Sequence, residues 1–261
     1  MRSASVPRLL TALIAAAALV VLSASTARSE RIQQGNLRAA LQGEVTPLKL
    51  PRHRLAPVSL KLSGSLTTTD GSALPRVTAM RFALAGRSGI ATRGLPVCPS
   101  ARLRNTRERE ALAACGDALV GHGRIEVQAR IPSQPPLPVD ARLLVFNGRS
   151  RSGRVALLMH AYALNPPVSV VIPFVLRHSR GDFGSELIAR GLASKPSISG
   201  FSMTLSRRFS DRGSPRSYLT GSCPLPPRFT SGLLSLALLE YRLQGDRRIA
   251  VDIVRTCRAR G

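Results

Sequence analysis

Beyond residue 44 the chain is written in short apolar runs cut by turn chemistry, and nothing between the cuts is long enough for a crossover helix. Asp70-Gly71, Pro135-Pro136, Pro166-Pro167, Asp211-Arg212-Gly213 and Pro226-Pro227 are the cuts, where Gly and Pro supply or fix turn conformations. Between them lie Val58 to Leu66, Arg76 to Leu84, Ile125 to Ile131, Arg142 to Phe146, Val155 to Ala163 and Val168 to Leu176. The pattern continues through Glu186 to Leu192, Ile198 to Ser206, Arg216 to Thr220, Phe229 to Tyr241 and Ile249 to Cys257. Ser59-Leu60-Lys61-Leu62-Ser63 and Met80-Arg81-Phe82-Ala83-Leu84 have the period of two expected when one sheet face is buried and the other wet. About ten antiparallel strands at this spacing predict an all-β fold, an antiparallel β-sandwich, and leave no room for a parallel α/β sheet.

One short helix is expected after Asn105. Asn105 and Glu108 stand at capping-box spacing, Glu108 and Glu110 lie where the helix N-terminus favours anions, and Cys115-Gly116 ends the run. About ten residues make a marginal helix in water, so a covalent staple is expected to hold it.

The N-terminus sets the compartment. Arg2 and Arg8, an apolar run from Leu9 to Leu22 and the small residues Ser25-Thr26-Ala27 form the three regions of an export signal over residues 1–27. The run is too short for a membrane span, which needs roughly 20 residues. A loose leader is expected over residues 28–43, followed by a single domain over 44–261. In an exported chain the four cysteines, Cys98, Cys115, Cys223 and Cys257, read as two disulfides. Three pairings are possible, and nearness in sequence favours Cys98 with Cys115 and Cys223 with Cys257. No Cys-x-x-Cys and no His at ligand spacing point to a metal, and no cofactor is expected.

Removal of the signal leaves 36 cations against 14 acids, a net charge of about +22. Such a field attracts polyanions. Arg outnumbers Lys 35 to 3, a skew that GC-rich codons also produce. Clustering says more than the total. Arg207, Arg208, Arg212 and Arg216 surround a turn together with Phe209 and Tyr218, where guanidinium groups could fork onto phosphates and aromatic faces could stack. The competing reading is a solvated hairpin tip with both aromatics facing the core. Arg149, Arg151 and Arg154 crowd a second loop, and Arg247, Arg248, Arg255, Arg258 and Arg260 the end of the chain. No zinc finger, helix-turn-helix or RNP motif accompanies this charge, so an anionic envelope polymer or lipid head group is the expected partner rather than nucleic acid.

Hydrolase elbows, zinc-protease motifs and P-loops are absent from the sequence, and Gly121-His122-Gly123 opens a Gly-rich fingerprint that Glu126 breaks. Of four histidines, His53 falls in a basic stretch, His122 in a Gly turn, His160 in an apolar strand and His178 at a strand end. His160 is the one expected to be buried. His178 lies near Asp182 and Glu186, the only grouping from which a hydrolase site could be built.

Asp70-Gly71-Ser72-Ala73-Leu74-Pro75, Gly94-Leu95-Pro96-Val97-Cys98, the Ala114-Cys115 to Ala118-Leu119-Val120-Gly121-His122-Gly123 segment and Phe146-Asn147-Gly148 resemble uncharacterised secreted β-sandwich-like proteins of high-GC Gram-positive bacteria. The resemblance runs from about Leu55 to the C-terminus and implies a signal peptide and paired cysteines, with no catalytic or binding residues to carry over. The sequence therefore predicts a secreted or cell-wall-associated, noncatalytic structural or binding module.

Overall fold

The hairpins close where the turn residues mark them. Arg212 and Gly213 both adopt positive φ (51° and 78°) between two short strands, the mirror-image turn that matches strand twist. Asn165 to Pro167 reverses the chain between two long ones. The computed structural model describes residues 30–129, 134, 136–150 and 152–260, so the export signal expected over 1–27 lies outside the described residues.

In chain order the first strands are β1 (Glu30–Gln34), β2 (Leu37–Thr46), β3 (Lys49–Pro51), β4 (Ala56–Pro57), β5 (Ser59–Thr68), β6 (Val77–Ala85), β7 (Ser88–Ile90) and β8 (Cys98–Pro99). Helix α1 (Glu108–Cys115) follows, then β9 (Leu119–Ala129), β10 (Leu137–Arg149), β11 (Val155–Leu164), β12 (Pro167–His178), β13 (Phe183–Arg190) and β14 (Ser197–Leu205). The last are β15 (Arg208–Asp211), β16 (Ser214–Ser217), β17 (Leu219–Gly221), β18 (Ser231–Leu243) and β19 (Arg248–Arg260).

The fold is all-β. Its main feature is one 14-stranded sheet in the order β1-β2-β5-β14-β9-β10-β11-β12-β13-β6-β18-β19-β3, with β8 beside β10. Among the described residues, only β3 with β19 and β8 with β10 run parallel. Where two separate antiparallel sheets were expected, a single mixed sheet curls on itself. Phe82 of β6 meets Phe174 of β12 and Phe201 of β14, each with ring centroids 5.4 Å apart, across the interior. The two ends of the curl meet at Arg255 of β19, which pairs with the Glu30 carboxylate at 2.6 Å and donates from Nε to the Gly43 carbonyl of β2 at 2.9 Å. Gly43 permits this approach: a Cβ there would run into Ile253 of β19 and Leu62 of β5.

Residues 30–43, expected as a loose leader, are corrected to a hairpin. β1 pairs with β2 around Gly35-Asn36, and Leu37, Ala39 and Leu41 are fully buried. The Gly121-Gly123 stretch, expected as a turn, is the start of β9. β14 passes so close that a Cβ at Gly123 would collide with the Ser202 carbonyl.

Helix α1 covers the outer face of β10 and β11. Leu103, Ala111 and Cys115 pack there with Leu144, Phe146, Ala156 and Leu158. These two strands are therefore buried on both faces, which is why they read as continuous apolar runs instead of alternating ones. The helix begins two residues later than Asn105 would start it. Asn105 has φ 55°, and the Arg107 backbone N–H donates to the Glu110 carboxylate at 2.8 Å, so Arg107 is the N-cap. Cys98 is bonded to Cys115 and Cys223 to Cys257. The first bond staples α1 to its entry segment, and the second joins the segment after β17 to β19. No helix among the described residues is long and apolar enough to cross a membrane.

Candidate functional site

At one end of the curl the interior is not filled. A cavity of about 540 Å³ lies between β2, β5, the end of β6, β17 and the facing parts of β18 and β19. Leu50, Val58, Leu60, Leu84, Leu219 and Leu236 form much of its wall. A register shift between Ser235 and Ala237 in β18 makes part of this wall, because it changes which side chains of the Leu-rich run face inward. The volume falls within the roughly 300–1,000 Å³ of small-molecule sites.

Three features make this end more than a packing void. Ser222, 7% exposed, lines the cavity, and its Oγ has no hydrogen-bond partner among the described residues. Buried hydroxyls are normally satisfied, so this enclosed Oγ is a polar group left without a partner in the cavity wall. Arg87 stands beside it, the Ser222 N–H donating to the Arg87 carbonyl at 3.1 Å. Arg87, Lys61, Glu44 and Leu48 are exposed lining residues at the outer edge, and the paired Arg255 also reaches the wall. The edge thus carries more positive than negative charge around an apolar interior.

Two other hollows are weaker candidates. An apolar one of about 70 Å³, walled by Val139, Ala161, Val170 and Pro196, has no charged or unsatisfied group other than Lys195 on its lining. A larger groove of about 670 Å³ beside α1 is open, and its Arg142 and Glu108 already pair at 3.3 Å.

The arginines singled out in the sequence lie elsewhere. Arg208, Arg212 and Arg216 are exposed on the β15–β16 hairpin, whereas Arg207 is half-buried at its base with its Nε enclosed. Both aromatics belong to the interior: Tyr218 is 2% exposed and Phe209 packs against the core. Tyr218 is closed to stacking from outside, while Phe209 keeps part of its surface exposed beside the hairpin cations. In the second loop Arg149 donates to the Gly153 carbonyl and Arg154 to Ser152 Oγ; Arg151 lies outside the described residues. These side chains serve their own turn.

None of the hollows described above is lined by His178, Asp182 or Glu186. His178 and Asp182 are exposed, and Glu186 pairs with Arg81 at 2.9 Å. His122 lies exposed on β9 rather than in a turn. His160 is fully buried between β11 and the segment before α1, its Nε2 3.0 Å from the Thr106 carbonyl. The neutral tautomer with its proton on Nε2 satisfies that carbonyl. Burial pushes its pKa below the ordinary 6.5, against the opposing influence of Thr106 and Glu108. The unfolded chain then binds a proton that the folded one refuses, so the stabilisation is complete above about pH 6.5 and is lost as pH falls toward the lowered value. The unfolding midpoint is expected to decline between pH 7 and 5, and to decline less in His160→Gln. Equal slopes would remove His160 from that account.

Compared with family models, with curated proteins and with solved structures, the chain matches none. Among the described residues no group of three or more His, Cys, Asp or Glu side chains could hold a metal ion.

Proposed function

We propose that this protein is an exported binding module, noncatalytic, that holds one amphipathic anionic ligand in the end of its curled sheet. The apolar part of the ligand occupies the cavity walled by Leu50, Val58, Leu60 and Leu236, and its anionic group lies by Ser222, Arg87 and Lys61. The observation that carries this reading is an apolar cavity of about 540 Å³ whose exposed outer residues are mainly cationic, with an enclosed, unpartnered Ser222 hydroxyl in its wall. The two disulfides fit an oxidising compartment, and the resemblance to secreted proteins of high-GC Gram-positive bacteria belongs to the same proposal. The anionic class of partner is the one expected from the charge; the cavity now competes with the hairpin arginines as its site.

The test is a titration of purified protein with cis-parinaric acid, a fluorescent anionic chain. Saturable binding at one site per chain is expected, displaced by lysophosphatidylglycerol. Leu234→Trp, which enlarges a lining side chain, is expected to weaken binding about tenfold, equivalent to ~1.4 kcal/mol. Arg87→Gln is expected to weaken it about fivefold, the scale of a partly exposed charge pair. Wild-type affinity in Leu234→Trp, with its fold intact by circular dichroism, would sink the cavity as the site. If affinity instead fell only in an Arg208→Gln, Arg212→Gln, Arg216→Gln variant, the hairpin would be the site.

A further inference from the structure

Three stretches of the chain, residues 47–58, 219–236 and 253–260, contain no acidic residue, and the fold draws them to the end of the molecule where the cavity opens. The Cys223–Cys257 bond links the second to the third. The Cys223 N–H donates to the Pro51 carbonyl at 2.9 Å, the Arg258 N–H to Leu48 at 3.0 Å and the Ala259 N–H to Thr230 at 2.9 Å. Arg52 donates from Nη1 to the carbonyls of Leu225 and Pro226. Along these linked stretches Leu48, Leu55, Phe229 and Leu233 are each more than half exposed. Interleaved with them are the exposed cations Lys49, Arg54, Arg228 and Arg258.

Large apolar side chains held out into water by a covalently braced surface mark a contact face. A face with cations among those side chains and no acid in its segments is complementary to an anionic, partly apolar layer, and the head-group region of a bilayer is such a layer. We infer that this end of the protein docks on bilayers rich in anionic phospholipid. Leu48, Leu55, Phe229 and Leu233 enter the head-group layer, and Lys49, Arg54, Arg228 and Arg258 lie among the phosphates. Leu48 belongs both to this face and to the cavity lining, so docking brings the cavity mouth to the membrane. The inference rests on the proposed ligand-binding reading only for what passes through that mouth.

A net charge this large makes the protein adhere to any anionic surface at low salt, so the informative quantity is binding that survives screening. Vesicles of equal phosphatidylglycerol and phosphatidylcholine are sedimented with the protein at about 50 mM and about 500 mM salt, against vesicles of phosphatidylcholine alone. Expected are binding at both salts on the anionic vesicles and little on the neutral ones. Leu55→Ser, Phe229→Ser, Leu233→Ser in one chain, none of them in the cavity lining, is expected to lose at least about tenfold of the high-salt partition, roughly half a kcal/mol per side chain. It should keep its affinity for cis-parinaric acid without vesicles. The hairpin variant Arg208→Gln, Arg212→Gln, Arg216→Gln should lose only low-salt binding. Because the chain contains no tryptophan, Phe229→Trp supplies a single reporter, expected to shift to the blue on anionic vesicles and to be quenched by bromolipids. Unshifted Trp fluorescence with vesicles bound, or undiminished high-salt binding by the triple serine variant, would overturn the docking face. Loss of cis-parinaric acid binding in the wild type would overturn the cavity reading instead, leaving the vesicle result to decide docking by itself.

Discussion

Replacing Cys223 and Cys257 together by alanine is expected to lower the midpoint of thermal unfolding by about 10 °C. The bond closes a loop of sequence separation 34, and on the chain-entropy model its removal releases ~3–4 kcal/mol of constraint from the unfolded chain. A domain of this size loses roughly 2–4 °C per kcal/mol. Structure adds to the loss, because this bond holds the segment after β17 against β19, where the Cys223 N–H also meets the Pro51 carbonyl of β3. Cys223 is fully buried, so alanine is the better replacement: serine would leave a hydroxyl to satisfy there. Calorimetry of the oxidised wild type and the double variant checks the prediction, and a shift below about 2 °C would show that neighbouring strands fix this end unaided. Removing Cys98 and Cys115 is expected to act more locally. That bond lies on the outer face, and its loss should appear as faster proteolysis across residues 100–118.

Turn chemistry and period-two alternation made the strand content readable, because both act within a few residues. Val155 to Leu164 and Pro167 to His178 fall on either side of Asn165-Pro166, as the sequence reading placed them. The β1–β2 hairpin was misread although its signal is local. Gly35-Asn36 separates Gln34 from Leu37, and Leu37, Ala39 and Leu41 alternate with Arg38, Ala40 and Gln42; the polar Gln33-Gln34 outweighed this pattern. What no local pattern carries is the pairing. β5 pairs with β14, and β6 with both β13 and β18, across about a hundred residues or more. Alternation looks the same in two stacked sheets and in one that curls, so a single 14-stranded sheet was not legible.

The candidate site was hidden for a related reason. Its wall is assembled from Leu50, Leu60, Leu84, Leu219 and Leu236, residues that each read as ordinary core, and its polar mark is a single serine. Charge drew attention to Arg207, Arg208, Arg212 and Arg216, because clusters stand out in sequence and cavities do not. The turn lies at Arg212-Gly213, where the sequence marks it, and the burial of Tyr218 with the partial burial of Phe209 agrees with a solvated hairpin tip. Glu186, the carboxylate from which a hydrolase site could be built, is held in a network on the outer face of three adjacent strands.

That network yields the second large effect, expected from Arg81→Met. Arg81 on β6 stands directly opposite Glu240 on β18, donating from Nε and Nη2 to its Oε2 at 3.1 and 3.0 Å, and from Nη1 to Glu186 on β13 at 2.9 Å. Arg242 donates to the other Glu240 oxygen at 2.9 Å. The Glu240 side chain is only 7% exposed. Burial opposes its ionisation, but the hydrogen bonds from Arg242 and Arg81 and their positive charges outweigh burial and hold the carboxyl below its ordinary range. Removing Arg81 leaves a largely buried carboxylate with one exposed partner and strips Glu186 of the pair it makes. The cost is ~2–3 kcal/mol, below that of a fully enclosed pair because Arg81 is partly open to water, and the midpoint should fall by about 5–10 °C. The pH dependence has a definite sign. A carboxyl whose folded pKa is lowered contributes stability that is complete above the ordinary value near 4.5 and is lost as pH drops through the folded value. The wild type should therefore lose stability on the acid side of pH 4.5 more steeply than Glu240→Gln, while Arg81→Met should already be weak at pH 7. Melting curves from pH 7 to 3 on the three proteins separate these effects. Superimposable acid limbs for wild type and Glu240→Gln would mean that the cross-strand match of shape, rather than of charge, holds β13, β6 and β18 together.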